Sequence, residues 1–223
     1  MTITIAIADD QALVRAGLRM IIDAVPDLNI VGEASDGREA IHVAQQFRPD
    51  VVLMDIRMPA IDGIEATRQI TAAHSYQPRV IILTTFDLDD YVYGALSAGA
   101  SGFLLKDVSP EQLIDAIRIV AGGDSLIAPS VTTRLIDTLV RQHAKPPRPL
   151  PSEMDDLTPR EREIFELVAL GLSNAEIASR LVVSVATVKT HVTGVLGKLG
   201  LRDRVQAVVL AYETAIVRPG AHD

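Results

Sequence analysis

The chain has 223 residues, 48% of them apolar and 22% charged, a globular balance that excludes disordered, collagenous and low-complexity classes and leaves room for one large domain or two small ones. It contains no cysteine, which removes disulfide frameworks, thiol nucleophiles and cysteine metal sites and suits a reducing cytoplasm. No apolar run approaches the roughly 18 residues of a membrane span, and the start MTITIAIADD lacks the basic region and cleavage site of an export signal, so the expected protein is soluble, cytoplasmic and independent of membranes.

Charge divides the chain. Residues 1–140 carry 10 basic and 19 acidic side chains, residues 141–156 three of each, and residues 157–223 carry 8 basic and 7 acidic. The formal net charge of -8 therefore belongs to the first segment and says nothing against nucleic acid as a partner of the last.

In chain order, short β-branched apolar runs alternate with helix-period segments. The runs predict strands over 3–8, 29–34, 51–54, 80–83 and 102–105. Helices are predicted near 13–24, 37–46, 64–73, 90–98 and 110–121. Runs such as VVLM and VIIL are apolar on both faces, as in a parallel sheet sandwiched by helices with right-handed crossovers, where ligands gather beyond the carboxyl ends of the strands. Prolines at 146, 147, 149 and 151 then forbid a helix and favour an extended, semi-rigid linker over 141–156.

After the linker there is no strand pattern. Thr158-Pro159-Arg160-Glu161 and Ser173-Asn174-Ala175-Glu176 are capping boxes that mark two helix starts. A third helix is predicted over 185–199, stopped by Gly200, and a fourth over 203–212.

Chemistry concentrates at the strand ends. Asp9 and Asp10 follow the first strand and Asp55 the third, so three carboxylates converge on one edge of the sheet. Their repulsion is relieved by a hard divalent cation with oxygen ligands, Mg2+ above all. Thr84 ends the fourth strand and Lys106 the fifth. A cation, a hydroxyl and an ammonium around one carboxylate suit a phosphoryl group attached to it.

These residues resemble a family: the receiver domain of two-component response regulators. The resemblance rests on Asp9-Asp10, Asp55 in LMDIRMPAIDG, Thr84 in ILTT and Lys106 in AGASGFLLKD, and covers about the first 125 residues. It implies a flavodoxin-like α/β fold with five parallel strands in the order 2-1-3-4-5. It further implies that Asp55 accepts phosphate from a sensor histidine kinase and that Asp9, Asp10, Asp55 and the backbone carbonyl of Arg57 hold Mg2+. Thr84 and Lys106 would contact phosphoryl oxygens, with Thr84 and Phe103 as the switch pair. Many receivers have proline after the lysine; here Asp107 stands there, and no cis bond is expected. An aspartyl-phosphate phosphohydrolase would want a DxD nucleophile on the first strand and a cap segment, and neither is present. The implied protein is a phosphoacceptor rather than an enzyme, with at most slow self-dephosphorylation.

The third helix of the last segment carries Val185, Val188, Val192, Val195, Leu196 and Leu199 toward one side. The other side shows Thr187, Thr190, Gly194 and Gly197 with Lys189, His191, Thr193 and Lys198 around it and no acid, as a major-groove reading helix needs. The whole segment resembles the four-helix, all-α helix-turn-helix domain of the LuxR/NarL family. That implies DNA contacts by Lys189, Thr190 and Thr193, phosphate positioning by Asn174, Thr187, His191 and Lys198, and a homodimer contact at Val205, Val208, Val209 and Tyr212, which a small domain is not expected to bury entirely. Gly194 and Gly197 each weaken the helix by about 1 kcal/mol relative to alanine; either the duplex approaches closely there or contacts have been lost. The expected organisation is a receiver over 1–125, a connecting helix and proline-rich linker over 126–156, and a DNA-binding domain over 157–223. The implied partners are a sensor histidine kinase and double-stranded promoter DNA, and phosphorylation would shift dimerisation or domain release to control transcription.

Overall fold

The structure is a computed structural model that describes residues 2–72, 76–84, 91–123 and 149–217. The chain divides into two compact units, Met1–Ala128 and Pro129–Asp223.

In the first unit the strands are β1 (Ile3–Ala8), β2 (Leu28–Ala34), β3 (Val51–Asp55), β4 (Arg79–Thr84) and β5 (Gly102–Leu105). The helices between and after them are α1 (Ala12–Asp23), α2 (Gly37–Phe47), α3 (Gly63–Thr71), α4 (Val92–Ser97) and α5 (Pro110–Ala121). The strands form one sheet in the order β2-β1-β3-β4-β5, and every pair is parallel. Fold class and strand order are those the receiver resemblance implies. The expected helix ends at 73 and 90 lie outside the described residues.

Central strands buried on both faces explain the unbroken apolar runs. Every residue of β3 is buried, and Ile5, Ile7, Leu53, Ile81 and Leu83 pack in one core with Leu113, Ile117 and Val120 of α5. Local chemistry fixes the helix starts. Asp36 accepts from the backbone N–H groups of Arg38 and Glu39 at the head of α2, and Asp62 from that of Glu65 at the head of α3. Ser109 and Gln112 form a reciprocal capping box for α5 with Pro110 in its first turn.

The β3–α3 connection brings two backbones nearly into contact. The Gly63 N–H donates to Ile56 O at 2.9 Å, and a Cβ at Gly63 would stand 1.9 Å from Asp55 O. Only glycine lets the head of α3 seat against the end of β3, so this residue holds the Asp55 backbone in place.

The second unit starts, in the described residues, at Pro149. Pro151 is extended (φ -59°, ψ 142°), and a 3-10 turn follows over Ser152–Asp156, where the sequence predicted continued extended chain. The rest of the expected proline linker, residues 141–148, lies outside the described residues. Four helices follow: α6 (Pro159–Ala169), α7 (Asn174–Leu181), α8 (Val185–Lys198) and α9 (Arg204–Glu213). Both capping boxes are formed, Thr158 with Glu161 and Ser173 with Glu176. Ser184 caps α8 and Asp203 caps α9.

Candidate functional site

Because parallel strands all end on one side, Asp9, Asp55, Thr84 and Lys106 come together at the carboxyl edge of the sheet. The Lys106 ammonium bridges two carboxylates, 2.7 Å from Asp9 Oδ2 and 3.0 Å from Asp55 Oδ1. The pocket is nearly dry: the side chain of Asp9 is fully buried, that of Asp55 is 7% exposed and that of Lys106 12%. Asp10 is exposed, yet oxygen atoms of Asp9, Asp10 and Asp55 all lie within 4.8 Å of one another.

Backbone and side chains around the pocket hold these groups in position. Asp9 Oδ1 accepts the Gln11 N–H at 2.9 Å, and Arg15 Nη1 donates to Asp9 O at 2.7 Å. The Lys106 N–H donates to Thr84 O at 2.8 Å, tying the ends of β4 and β5. Thr84 is buried at that edge, and Phe103 is 1% exposed, packed in β5 opposite Ile82. Arg57 is exposed in the loop after β3, its guanidinium 5.5 Å from the centre of the Tyr91 ring. With Asp10, Met58, Pro59 and Asp62 these residues line an open cavity of about 480 Å³ beside the acidic cluster.

Burial pushes the Asp55 carboxyl above the ordinary carboxylate pKa, against the pull of Lys106, and the Asp9 charge adds to the rise. Burial opposes the charge on Lys106, but its hydrogen bonds to Asp9 and Asp55 more than offset this and hold it above the usual lysine value. Three carboxylates face one ammonium, which leaves an excess of negative charge on oxygen donors. That donor set fits a hard divalent cation.

In the helical unit, α8 departs from the sequence expectation at two residues, Val185 and Lys198. Val185, expected on the buried side, is 51% exposed, whereas Val188 and Val195 of the same stripe are buried. On the opposite side, Lys198 Nζ lies 2.6 Å from Glu161 Oε2 and 3.1 Å from Asp156 O. Glu161 also accepts from the Thr158 N–H and hydroxyl, both at 2.8 Å. One carboxylate thus caps α6 and anchors the last turn of α8, and the sequence carried no signal for a link spanning 37 residues. A Cβ at Gly194 would stand 2.9 Å from Glu161 Oε1, so this glycine makes room for a carboxylate that three donors hold in place. Nothing in the structure explains Gly197.

Among the other expected DNA contacts, Lys189, Thr190 and Thr193 are exposed on α8, and His191 is half-buried. The Thr187 hydroxyl lies 2.8 Å from that of Ser184, and Asn174 Oδ1 accepts from Arg204 Nη1 at 2.9 Å. The expectation of an uncovered dimer face on α9 needs correction. Val205, Val208, Val209 and Tyr212 are 0%, 2%, 5% and 1% exposed within the single chain. Helix α9 is buried on most of its circumference, so these four are core residues here.

The comparisons agree with this geometry. Residues 5–118 match the response regulator receiver domain and residues 155–211 the luxR family of bacterial regulatory proteins. The uncharacterized transcriptional regulatory protein YxjL of Bacillus subtilis is 44% identical over 97% of this chain and 98% of its own. This chain belongs to the LuxR-type response regulators.

Another relative, the transcriptional regulatory protein LiaR of Bacillus subtilis, is 41% identical over 96% of this chain and 99% of its own. Of solved structures, the response regulator ChrA of a heme-sensing two-component system aligns with TM-score 0.52 and 38% identity over 97% of this chain and 99% of its own. RcsB solved with DNA aligns with TM-score 0.54 and 25% identity over 97% and 100%. Response regulators of this type are DNA-binding phosphoacceptors of two-component systems rather than classical enzymes, and they work with sensor histidine kinases. Among the described residues no helix is long and apolar enough to cross a membrane.

Two outcomes follow for this regulator. Because ionised Asp55 is disfavoured by its surroundings, Asp55→Asn should raise the thermal midpoint of the chain in chelator; a fall would contradict the reading of the pocket. The Lys198 and Thr158 contacts hold Glu161 down to about 2, below its ordinary 4.5. Its contribution is therefore complete above pH 4.5 and lost as pH falls toward 2. Thermal unfolding scanned across that window should show a shallower acid loss for Glu161→Gln than for wild type, from a lower neutral starting point.

Proposed function

We propose that this response regulator is switched by phosphorylation of Asp55, and that the switch governs binding of its helical domain to promoter DNA. The observation that carries the reading is the Lys106 ammonium shared between Asp9 and Asp55 at 2.7 and 3.0 Å in a nearly dry pocket. A carboxylate so placed is a nucleophile with a cation beside it, and charge that develops on an arriving phosphoryl group meets an existing donor.

Asp55 attacks phosphorus in line. The bond from phosphorus to the kinase histidine nitrogen breaks, the imidazole keeps the electron pair, and an acyl phosphate forms on Asp55. Lys106 takes up phosphoryl oxygen charge as it does so, and Thr84 offers its hydroxyl from the end of β4. Asp9, Asp10, Asp55 and the Arg57 carbonyl would hold Mg2+, which supplies charge neutralisation at the phosphoryl oxygens when bound. The acyl phosphate adds about -1.5 to -2 charges at one edge of the sheet. Drawing Thr84 and Lys106 toward that charge biases the β4 and β5 ends, with Phe103 as the packed side chain that changes place.

The output is a shift toward a homodimer or a released DNA-binding domain. Two copies of one short helix read two half-sites, which multiplies specificity. The receiver would occupy residues 1–125 and the DNA-binding domain 157–223, joined by 126–156. In the helical domain, Lys189, Thr190 and Thr193 on the exposed face of α8 meet the bases and Thr187 and His191 the backbone, while Lys198 and Asn174 position helices through Glu161 and Arg204. Support for DNA as the target comes from the luxR-family match over this segment and from the likeness to RcsB, solved with DNA.

Incubation of the full chain with a small-molecule phosphodonor and Mg2+, followed by intact mass, tests the first half. A single phosphoryl addition that disappears in Asp55→Ala and in chelator is expected. Absence of addition to wild type, or addition that survives Asp55→Ala, would overturn the assignment.

A further inference from the structure

The outward chemistry of α8 is narrower than its sequence suggests. At 100° per residue, Val185, Ala186, Lys189, Thr190, Thr193 and Gly197 lie within an arc of about 140°, and all six are exposed. The two threonines have turned their donors inward: Thr190 Oγ1 donates to Ala186 O and Thr193 Oγ1 to Lys189 O, each at 3.0 Å. With the hydroxyl proton committed to the carbonyl four residues back, each offers outward a methyl group and an acceptor lone pair.

Adjacent polar groups are also engaged, the Thr187 hydroxyl with Ser184 and the Lys198 ammonium with Glu161. The six include no Arg, Asn, Gln, Asp or Glu; of the side chains that hydrogen-bond base edges they hold one guanine donor, Lys189, and the two threonines whose hydroxyl protons are already committed. An ordinary solvated face in the same domain looks different: past its first residue, the exposed positions of α6 are Arg162, Glu163 and Glu166. Val185 moreover stands 51% exposed at the head of α8, the end from which a reading helix addresses base edges.

We infer that α8 selects its operator by thymine C5-methyl groups in the major groove, read by the carbon surfaces of Val185, Ala186, Thr190 and Thr193, with Lys189 supplying the positive charge. The inference rests on the DNA-binding reading above and names the sequence class that reading leaves open. The C5-methyl of thymine is the one apolar feature of the unmodified major-groove edge, and a surface of methyl groups with few donors discriminates by burying it. Each methyl removed from water contributes about 0.8 kcal/mol, or roughly fourfold in affinity.

The test uses the full chain, phosphorylated with a small-molecule donor, and the duplex it selects from a random pool. Each thymine of that duplex is replaced in turn by uracil, which removes only the methyl. An affinity loss of about fourfold at two or more positions is expected, with one of these losses absent in Val185→Ala. Thr190→Ser, which deletes the methyl, should weaken binding more than Thr190→Val, which deletes the hydroxyl. Indifference to uracil, sensitivity instead to 7-deazaguanine, the reverse order of the two Thr190 variants, or DNA binding with no preferred sequence would each overturn methyl reading while leaving DNA binding intact. No binding to any duplex would overturn the DNA-binding reading and this inference together.

Discussion

One ammonium shared by two buried carboxylates is the constraint on which the receiver depends. Lys106 reaches Asp9 and Asp55 from the end of the opposite edge strand, and it can do so only because parallel strands deliver all their carboxyl ends to the same side. The pairing keeps two charges in a dry pocket without neutralising them, since Asp10 adds a third carboxylate close by. A site left negative on oxygen donors is prepared for a hard cation, and a buried carboxylate disfavoured in its charged form gains by acquiring one.

The surrounding fold is arranged to keep that pocket rigid. Gly63 admits the head of α3 against the Asp55 carbonyl, and Lys106 is tied to β4 through the Thr84 carbonyl. Both contacts tie the pocket to strand ends. In the helical unit Glu161 has the corresponding role: it caps α6, holds Lys198 and lies close to Gly194, where a Cβ would stand 2.9 Å from its Oε1.

Features set by short-range chemistry were legible in the sequence. Unbroken apolar runs announced strands buried on both faces, capping boxes at Thr158 and Ser173 announced two helix starts, and acidic residues just past β1 and at the end of β3 announced the pocket. Features set by the packing of distant elements were not legible. Periodicity placed Val185 and Val188 on one apolar stripe but carried no information on which of them neighbours would cover; Val188 is buried and Val185 is 51% exposed. The same limit applies to α9, whose apolar residues suggested an unused face until its neighbours were seen to bury Val205, Val208, Val209 and Tyr212. The pairing of Lys198 with Glu161 was not legible because the two lie 37 residues apart. The extra residue of β2 opposite the Ile5–Ala6 step of β1 is likewise a property of the pair of strands.

The central claim is that three carboxylates and one ammonium form a single site short of positive charge. Calorimetric titration of Mg2+ into the full chain tests it most directly, alongside Asp10→Asn and Asp55→Asn. One saturable site in wild type, weakened tenfold or more in each variant, is the expected result. Equal Mg2+ affinity in all three proteins, or no saturable binding to wild type, would contradict it.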